Sequence, residues 1–361
     1  MPAIGVWWTV ALALGATGGD ATSGVQLVAP QTTRPVAGDI PFLVSSERPI
    51  RAVEFAVDGW VLDVDHHAPF GYGRAGRLDT RTLTAGRHRL AARVSVGTQT
   101  ITLKRIIRVA RAHARPRSRP AWADEFAGPA GGRPDPAKWG YALGPWGRSA
   151  GERQIYTSRT ANVALDGAGH LRIVARRGGT GQPAYTSARI QTIDRFEPRF
   201  GRIEARIRVP AGRGLLPAFW LLGDDEDGAR PWPRSGEIDV VEVVGNDPFA
   251  YQGTVHGPDA RAPSRDVSGE RLLRAPAPFS AGFHVYAVEW RAHSIRFLVD
   301  GRRIGDAIAP SRYASLGGRW VFDRPLHLVL NVAVGNDWTG LPDTTTPWPA
   351  VMLVDWVRAY R

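Results

Sequence analysis

The stretch "SGEIDVVEVVG", Ser235 to Gly245, sets three carboxylates, Glu237, Asp239 and Glu242, in a run otherwise made mostly of Val and Ile. Side chains alternate along a strand, so Glu237 and Asp239 share one face while Ile238 and Val240 take the other. Strict alternation would turn Glu242 into the apolar layer, where an ionised carboxylate is costly. A β-bulge at Val240 and Val241 resolves the conflict, because one extra residue returns Glu242 to the acidic face. Carboxylates about 6 Å apart repel by roughly 3 kcal/mol per pair at an effective dielectric near 20, about two pKa units, so one of them keeps its proton near neutral pH. The set then divides its labour among an ionised glutamate as nucleophile, a protonated glutamate as acid, and an aspartate that hydrogen-bonds and shares charge. Retaining glycoside cleavage uses such a pair about 5 to 5.5 Å apart. For the two glutamate tips to converge that closely, the sheet carrying them must be concave. A calcium site, or acids on a solvated face, are the competing readings; the flanking Val and Ile, Trp232 just before, and the irregular spacing favour catalysis.

The elements that must hold this strand are themselves strands. From Trp122 to Arg361, "HLRIVARR", "GRIEARIRV", "IRFLVDGRR", "LHLVLNVAV" and "MLVDWVRAY" follow one another with Gly, Pro and Asn between them and hardly any helical period. About 240 residues of this kind make one large antiparallel sandwich or barrel. Several tryptophans sit in loop-like contexts, in "GPWGR", "RPWPRSG" and "GNDWTG". An exposed indole there is wasteful unless something flat, such as a sugar ring, stacks on it.

Ahead of this region, Gly24 to Ala110 carries short alternating runs separated by turn residues at β-sandwich intervals. His66 and His67 are adjacent, face opposite ways in any strand, and read as surface turn residues rather than metal ligands. Arg111 to Trp122, "RAHARPRSRPAW", is rich in Arg and Pro without an acid and reads as a stiff, charge-extended linker. No aromatic in its basic part could stack a base, which argues against a nucleic-acid arm. The run from Ile4 to Ala16 is uncharged and apolar, too short to span a bilayer, and of a length that suits the core of a secretory signal peptide; a disordered tail is the alternative.

The 361 residues include no cysteine, which excludes disulfides, thiolate metal sites and a cysteine nucleophile together. The formal charge is +12, nearly all from arginine, since Lys104 and Lys138 are the only lysines. Such a balance suits a polyanion or an anionic surface as well as a bland genomic bias toward arginine.

"GEIDVVEVVG" resembles the active-site signature of glycoside hydrolase family 16, in the bulged form found in bacterial laminarinase-like endo-β-1,3-glucanases. "WADEFAG", "ERQIYTSRTANVALDGAGHLRIVARR", "YTSARIQT", "GRIEARIRVPAGRGLLPAFWLLG", "GTVHG", "FHVYAVEWRAHSIRFLVDG", "LNVAVGNDW" and "VDWVRAYR" extend the resemblance over some 240 residues. In the earlier region, "VEFAVDGWVLDVDHHAPFGY" and "LTAGRHRLAARV" are similar to bacterial immunoglobulin-like domains. The composition and the two resemblances together give an all-β chain: a signal peptide over 1–24 and the linker over 111–120 from composition, and, as the resemblances imply, a small immunoglobulin-like β-sandwich over 25–110 and a family 16 catalytic domain over 121–361. That last domain would be a β-jelly-roll sandwich with a concave substrate cleft.

The resemblance further implies Glu237 as nucleophile, Glu242 as the acid that then serves as base, and Asp239 as the partner that tunes Glu237. Arg189, Trp220, Trp232, His256 and Asn331 would line the cleft, with Trp146 and Trp338 as further stacking platforms. Many members hold a structural calcium ion away from the chemistry, and Glu125 and Asp355 stand where its side-chain ligands would be; no cofactor is implied for catalysis. The expected partner is a β-glucan, handled by a secreted monomer without a membrane span or nucleic acid. "PWGRSAGERQ" lacks the family's Asn and has a longer loop before Glu152, Leu216 replaces a Trp, and Asn336 a Gly. These departures leave open a mixed-linkage glucan or a galactan as substrate, and transfer to sugar instead of water. A non-catalytic glucan-binding protein on the same scaffold is the alternative from another class; such a protein has no reason to keep all three acids.

Overall fold

The computed structural model describes residues 24–30, 34–73, 75–83, 85–110, 119–179, 184–224 and 230–361. The apolar run read as an export signal, and residues 111–118 of the linker, lie outside them. By their internal contacts the chain forms two compact units, one from residues 1–58 and 64–112, the other from 59–63 and 113–361.

In chain order the earlier strands are β1 (Val25–Val28), β2 (Asp39–Pro41), β3 (Leu43–Ser46), β4 (Ala52–Val57), β5 (Trp60–Asp65), β6 (Arg77–Asp79), β7 (Gly86–Val96) and β8 (Gln99–Val109). β1 pairs with β3, β2 with β6, and β4, β7 and β8 follow one another, all antiparallel. Alternation decides their faces: Leu90, Ala92, Val94 and Val96 are buried along β7, with Leu103, Ile107 and Val109 along β8. Phe42 and Phe55 meet edge to face in the same core. His66 and His67 are exposed after β5.

The larger unit continues with β9 (Trp122–Asp124), β10 (Gly140–Tyr141), β11 (Gln154–Tyr156), β12 (Val163–Leu165), β13 (Leu171–Arg177), β14 (Tyr185–Ser187), β15 (Arg189–Gln191) and β16 (Gly201–Arg208). Then come β17 (Leu215–Leu222), β18 (Glu237–Glu242), β19 (Ala250–Pro258), β20 (Asp266–Arg274), β21 (His284–Arg291), β22 (Ser294–Val299) and β23 (Arg302–Arg303). The short helix α1 (Pro310–Ser315), β24 (His327–Val334) and β25 (Ala350–Tyr360) complete it. Two layers result. One runs β10-β15-β24-β17-β18-β19-β20, the other β11-β14-β13-β25-β16-β21-β22-β23. They pack through β13 against β24 and β18 against β21. Between them lie Ile238, Val240, Phe219, Leu328, Leu330 and Phe297, all inaccessible to solvent. Tyr251 of β19 stacks on Tyr286 of β21 with centroids 6.0 Å apart.

β18 sits in the middle of the first layer and is irregular where its acids require it. Against β17, Trp220 faces Asp239 and Phe219 faces Val241, which leaves Val240 as the extra residue. Against β19, Asp239 faces Thr254 and Glu242 faces Gln252, so Val240 and Val241 together oppose Gly253. Both valines are buried. A bulge strips a carbonyl of its ladder partner. Here the Tyr251 hydroxyl donates to the Val240 carbonyl at 2.9 Å, inside the core. Gly253 makes room for this: a Cβ there would lie 2.5 Å from the Tyr251 oxygen and 2.8 Å from the Phe297 ring. Tyr251→Phe leaves a buried carbonyl unpaired and is expected to cost about 1–3 kcal/mol. Denaturant unfolding checks this, and an unchanged midpoint would show that the bulge does not need the phenol.

Candidate active site

The bulge delivers Glu237, Asp239 and Glu242 to the face of the first layer that points away from the second. Glu237 and Glu242 are half-buried and Asp239 is 3% exposed. Cross-strand register fills in the surroundings. Glu237 lies opposite His256 on β19 and Leu222 on β17, and Leu222 in turn opposite His327 on β24. Glu242 lies opposite Ala218, itself opposite Asn331, and Asn331 opposite Arg189. All three acids, His256, Arg189, Asn331 and Trp220 therefore share one side of the sheet.

Hydrogen bonds tie these groups into a network. The Trp232 indole N–H donates to Glu237 Oε2 at 2.8 Å. His256 Nδ1 is 2.7 Å from Asp266 Oδ2, and its Nε2 is 3.4 Å from Asp239 Oδ2. Trp220 donates to Asn331 Oδ1 at 2.7 Å, and the Asn331 amide donates to the Tyr156 hydroxyl at 3.0 Å. The Arg189 guanidinium lies between two indoles, 4.8 Å from the Trp146 ring and 4.6 Å from the Trp220 ring. Trp146, Trp232 and Trp338 each leave about half their surface in water. The Trp338 loop is tied to the loop after Trp146 by the Asp337 N–H donating to the Ala150 carbonyl at 3.1 Å.

Burial and charge split the acids. Burial holds the Asp239 carboxyl protonated well above the usual carboxylate range, with the charges of Glu237 and Glu242 adding to the effect. Burial also pushes Glu242 up to about 7; His256 opposes the rise, while Glu237 and Glu152 reinforce it. His256 goes the other way. Burial alone would lower it, but the Asp266 hydrogen bond and the charges of Glu237, Asp266 and Glu242 raise it to about 9. The sequence reading expects like-charge repulsion to retain one proton; desolvation is the larger cause, and two carboxyls share the effect.

Residues not singled out from sequence also belong to the site. Glu152 has a pKa raised by burial and accepts a short hydrogen bond from Gln154. The Gln154 side-chain oxygen Oε1 accepts the Val334 backbone N–H at 2.8 Å. Glu152, Gln154 and Tyr156 alternate along "ERQIY", so period-2 spacing could have found them. Asp266 had no local signal, because only the β19–β20 register brings it to His256. His327 is buried with neither ring nitrogen hydrogen-bonded, and burial lowers its pKa to about 4.

The calcium expectation is not met by its two carboxylates. Glu125 receives both arms of the Arg358 guanidinium at 2.8 Å, and Asp355 is paired with Arg206. Each already has its counter-charge, so the pair does not fit a cation. Among the described residues, the one group with metal-ligating geometry is Glu237, Asp239 and His256, within the acid cluster itself.

The family model for glycosyl hydrolases family 16 matches residues 150–357. This chain belongs to that family. A β-glucanase of Rhodothermus marinus is 39% identical over 252 residues, 66% of this chain and 84% of that protein. A glucan endo-1,3-β-glucosidase A1 of Niallia circulans is 32% identical over 259 residues, 66% of this chain and 37% of that protein. The laminarinase catalytic domain of Thermotoga maritima aligns with a TM-score of 0.60 at 35% identity, covering 67% of this chain and 98% of that one. The chain is thus a glycoside hydrolase, and its all-β two-layer fold is that of its family.

The raised Glu242 pKa has a consequence for stability. Its folded value, about 7, exceeds the ordinary 4.5, so the neutral carboxyl favours the fold below pH 4.5 and that stabilisation is lost as pH rises through 7. Glu242→Gln removes the titration. Denaturant unfolding is expected to show the variant more stable by roughly 3 kcal/mol at pH 8, with the gap closing below pH 4.5. A gap independent of pH would contradict the assignment.

Proposed function

We propose that the protein is a secreted endo-glycosidase that hydrolyses β-1,3-linked glucan with retention of anomeric configuration. The observation that carries this reading is the bulged strand that sets Glu237, Asp239 and Glu242 together on one face of the sheet. Glu237 attacks the anomeric carbon and the glycosidic C–O bond breaks. Glu242 gives its proton to the departing oxygen, leaving a glycosyl ester on Glu237. Glu242, now ionised, takes a proton from water as that water attacks the same carbon. The ester then breaks and Glu237 is regenerated. The neutral Asp239 donates toward Glu237, while charged His256 balances the cluster without supplying the proton.

Arg189, Trp220, Trp146 and Asn331 form the wall to one side of the acids, and Trp232 and Trp338 offer exposed indoles to sugar faces. The substrate assignment rests on the likeness to laminarinases and endo-1,3-glucosidases. Export follows from the substrate class, since a polymer of this kind is met outside the cell, and the apolar run Ile4–Ala16 supports it. We assign the first unit as an immunoglobulin-like accessory module, on its strand pattern and because its described residues form no catalytic constellation.

Glu237→Ala is expected to fold and to lose cleavage of laminarin by at least about 10⁴-fold. Reducing-sugar release across laminarin, mixed-linkage glucan and galactan, with proton NMR of the first-formed anomer, checks both substrate and stereochemistry. Retained activity in the variant, or an inverted product, overturns the mechanism.

The general acid must hold its proton, so kcat/KM is expected to fall as pH rises through about 7, the Glu242 value. On an aryl glycoside whose leaving group needs no protonation, glycosylation by Glu242→Ala should lose this basic limb. A basic limb that persists in that variant would move the acid role to another group.

A further inference from the structure

The first unit carries a charged face that the cleavage chemistry does not use. Along β7, Arg87, Arg89, Ala91 and Arg93 point to one side; along β8, Arg108, Ile106, Lys104 and Thr102 stand directly opposite them on that same side. Arg87, Arg89, Lys104 and Arg108 are all exposed. Arg93 is paired with Glu54 at 3.1 Å. Asp58, the next acid, receives the Arg89 backbone N–H at 2.8 Å and contacts His88 at 2.6 Å. None of the four cations has a carboxylate partner among the described residues.

Three arginines of the larger unit's sheets show the neutralised alternative. Arg202 pairs with Glu204 and Glu289, Arg206 with Asp355, and Arg358 with Glu125. On the β7–β8 face two arginines, Arg87 and Arg108, confront each other across the ladder, a like-charge pair that destabilises a sheet. An anion lying between them removes that repulsion.

We propose that this face binds an acidic polysaccharide, a linear polymer bearing carboxylate or sulfate groups, and so holds the hydrolase at a polymer-rich surface. The cations are spaced about 5 Å across the strands and about 7 Å along them, on the scale of successive sugar residues, and guanidinium forks match carboxylate and sulfate geometry. Among the described residues the face has no aromatic side chain to stack a nucleobase, which disfavours single-stranded nucleic acid. It has one exposed apolar residue, Ile106, too little to enter a lipid layer. Because the face and the hydrolase belong to one chain, even weak capture raises the local concentration of the catalytic cleft.

The test is affinity electrophoresis of the full chain in gels containing polygalacturonate, repeated at rising sodium chloride. Retardation is expected at 50 mM salt and should vanish by about 300 mM. Arg87→Glu/Arg108→Glu should weaken binding at least about tenfold, and Lys104→Gln by less. Hydrolysis of soluble laminarin should not change. Arg108→Glu alone converts the repelling pair into an attracting one, so its melting temperature should not fall while its retardation does. Arg87→Gln/Arg108→Gln provides the same loss without new acids, in case the double glutamate variant is unstable. Binding by the double variants equal to that of the parent overturns the proposal, as does retardation insensitive to salt. Tighter binding to duplex DNA or to phosphatidylglycerol vesicles than to polygalacturonate also overturns it.

Discussion

The hydrogen bond from the Tyr251 phenol to the Val240 carbonyl holds open an irregularity in the middle of a sheet. Without the extra residue at Val240 and Val241, the spacing of this segment would send Glu242 into a layer where Ile238, Phe219 and Leu330 admit no water. The bulge needs a core willing to take two consecutive valines, a glycine opposite to leave space, and a donor for the freed carbonyl. Burial raises the Tyr251 pKa, with Asp239 and Glu242 adding, so the phenol keeps the proton it donates. One residue of register thus depends on side chains from both layers.

Burial is also what differentiates the acids. A carboxylate facing water would titrate near its ordinary value whatever its type. The site face is lined closely enough that β24 is buried along its whole length, including the residues pointing toward the cleft. In that environment Asp239 stays neutral and Glu242 is poised near neutrality, while Arg189 and His256 supply the compensating positive charge from opposite sides. The arrangement costs stability at neutral pH. Catalytic sites commonly accept such a cost because the same desolvation that penalises the charge makes it reactive.

Much of this was legible in the chain before any fold was known. The alternating runs announced strands, and the spacing of two and then three between acids announced the bulge, because a carboxylate cannot be left in an apolar layer. Glu152, Gln154 and Tyr156 were also within reach of the same period-2 argument, as they alternate in sequence into the short strand β11. Asp266 was not, since nothing near it in sequence refers to His256. The pairing of Glu125 with Arg358 and of Asp355 with Arg206 was equally hidden, and two carboxylates expected to favour a cation proved to be neutralised by cross-strand arginines.

By itself, then, the sequence determined which residues must be strand, which face each side chain takes, and where the alternation has to break; these are local consequences of a two-residue period and of the cost of burying charge. The tertiary structure alone decided how deeply each acid is buried, which cations stand beside it, and which arginines are already spent on other acids. Those quantities depend on strands distant in sequence being brought into register, and the free energy of a charge is set by its whole surroundings, not by its neighbours along the chain.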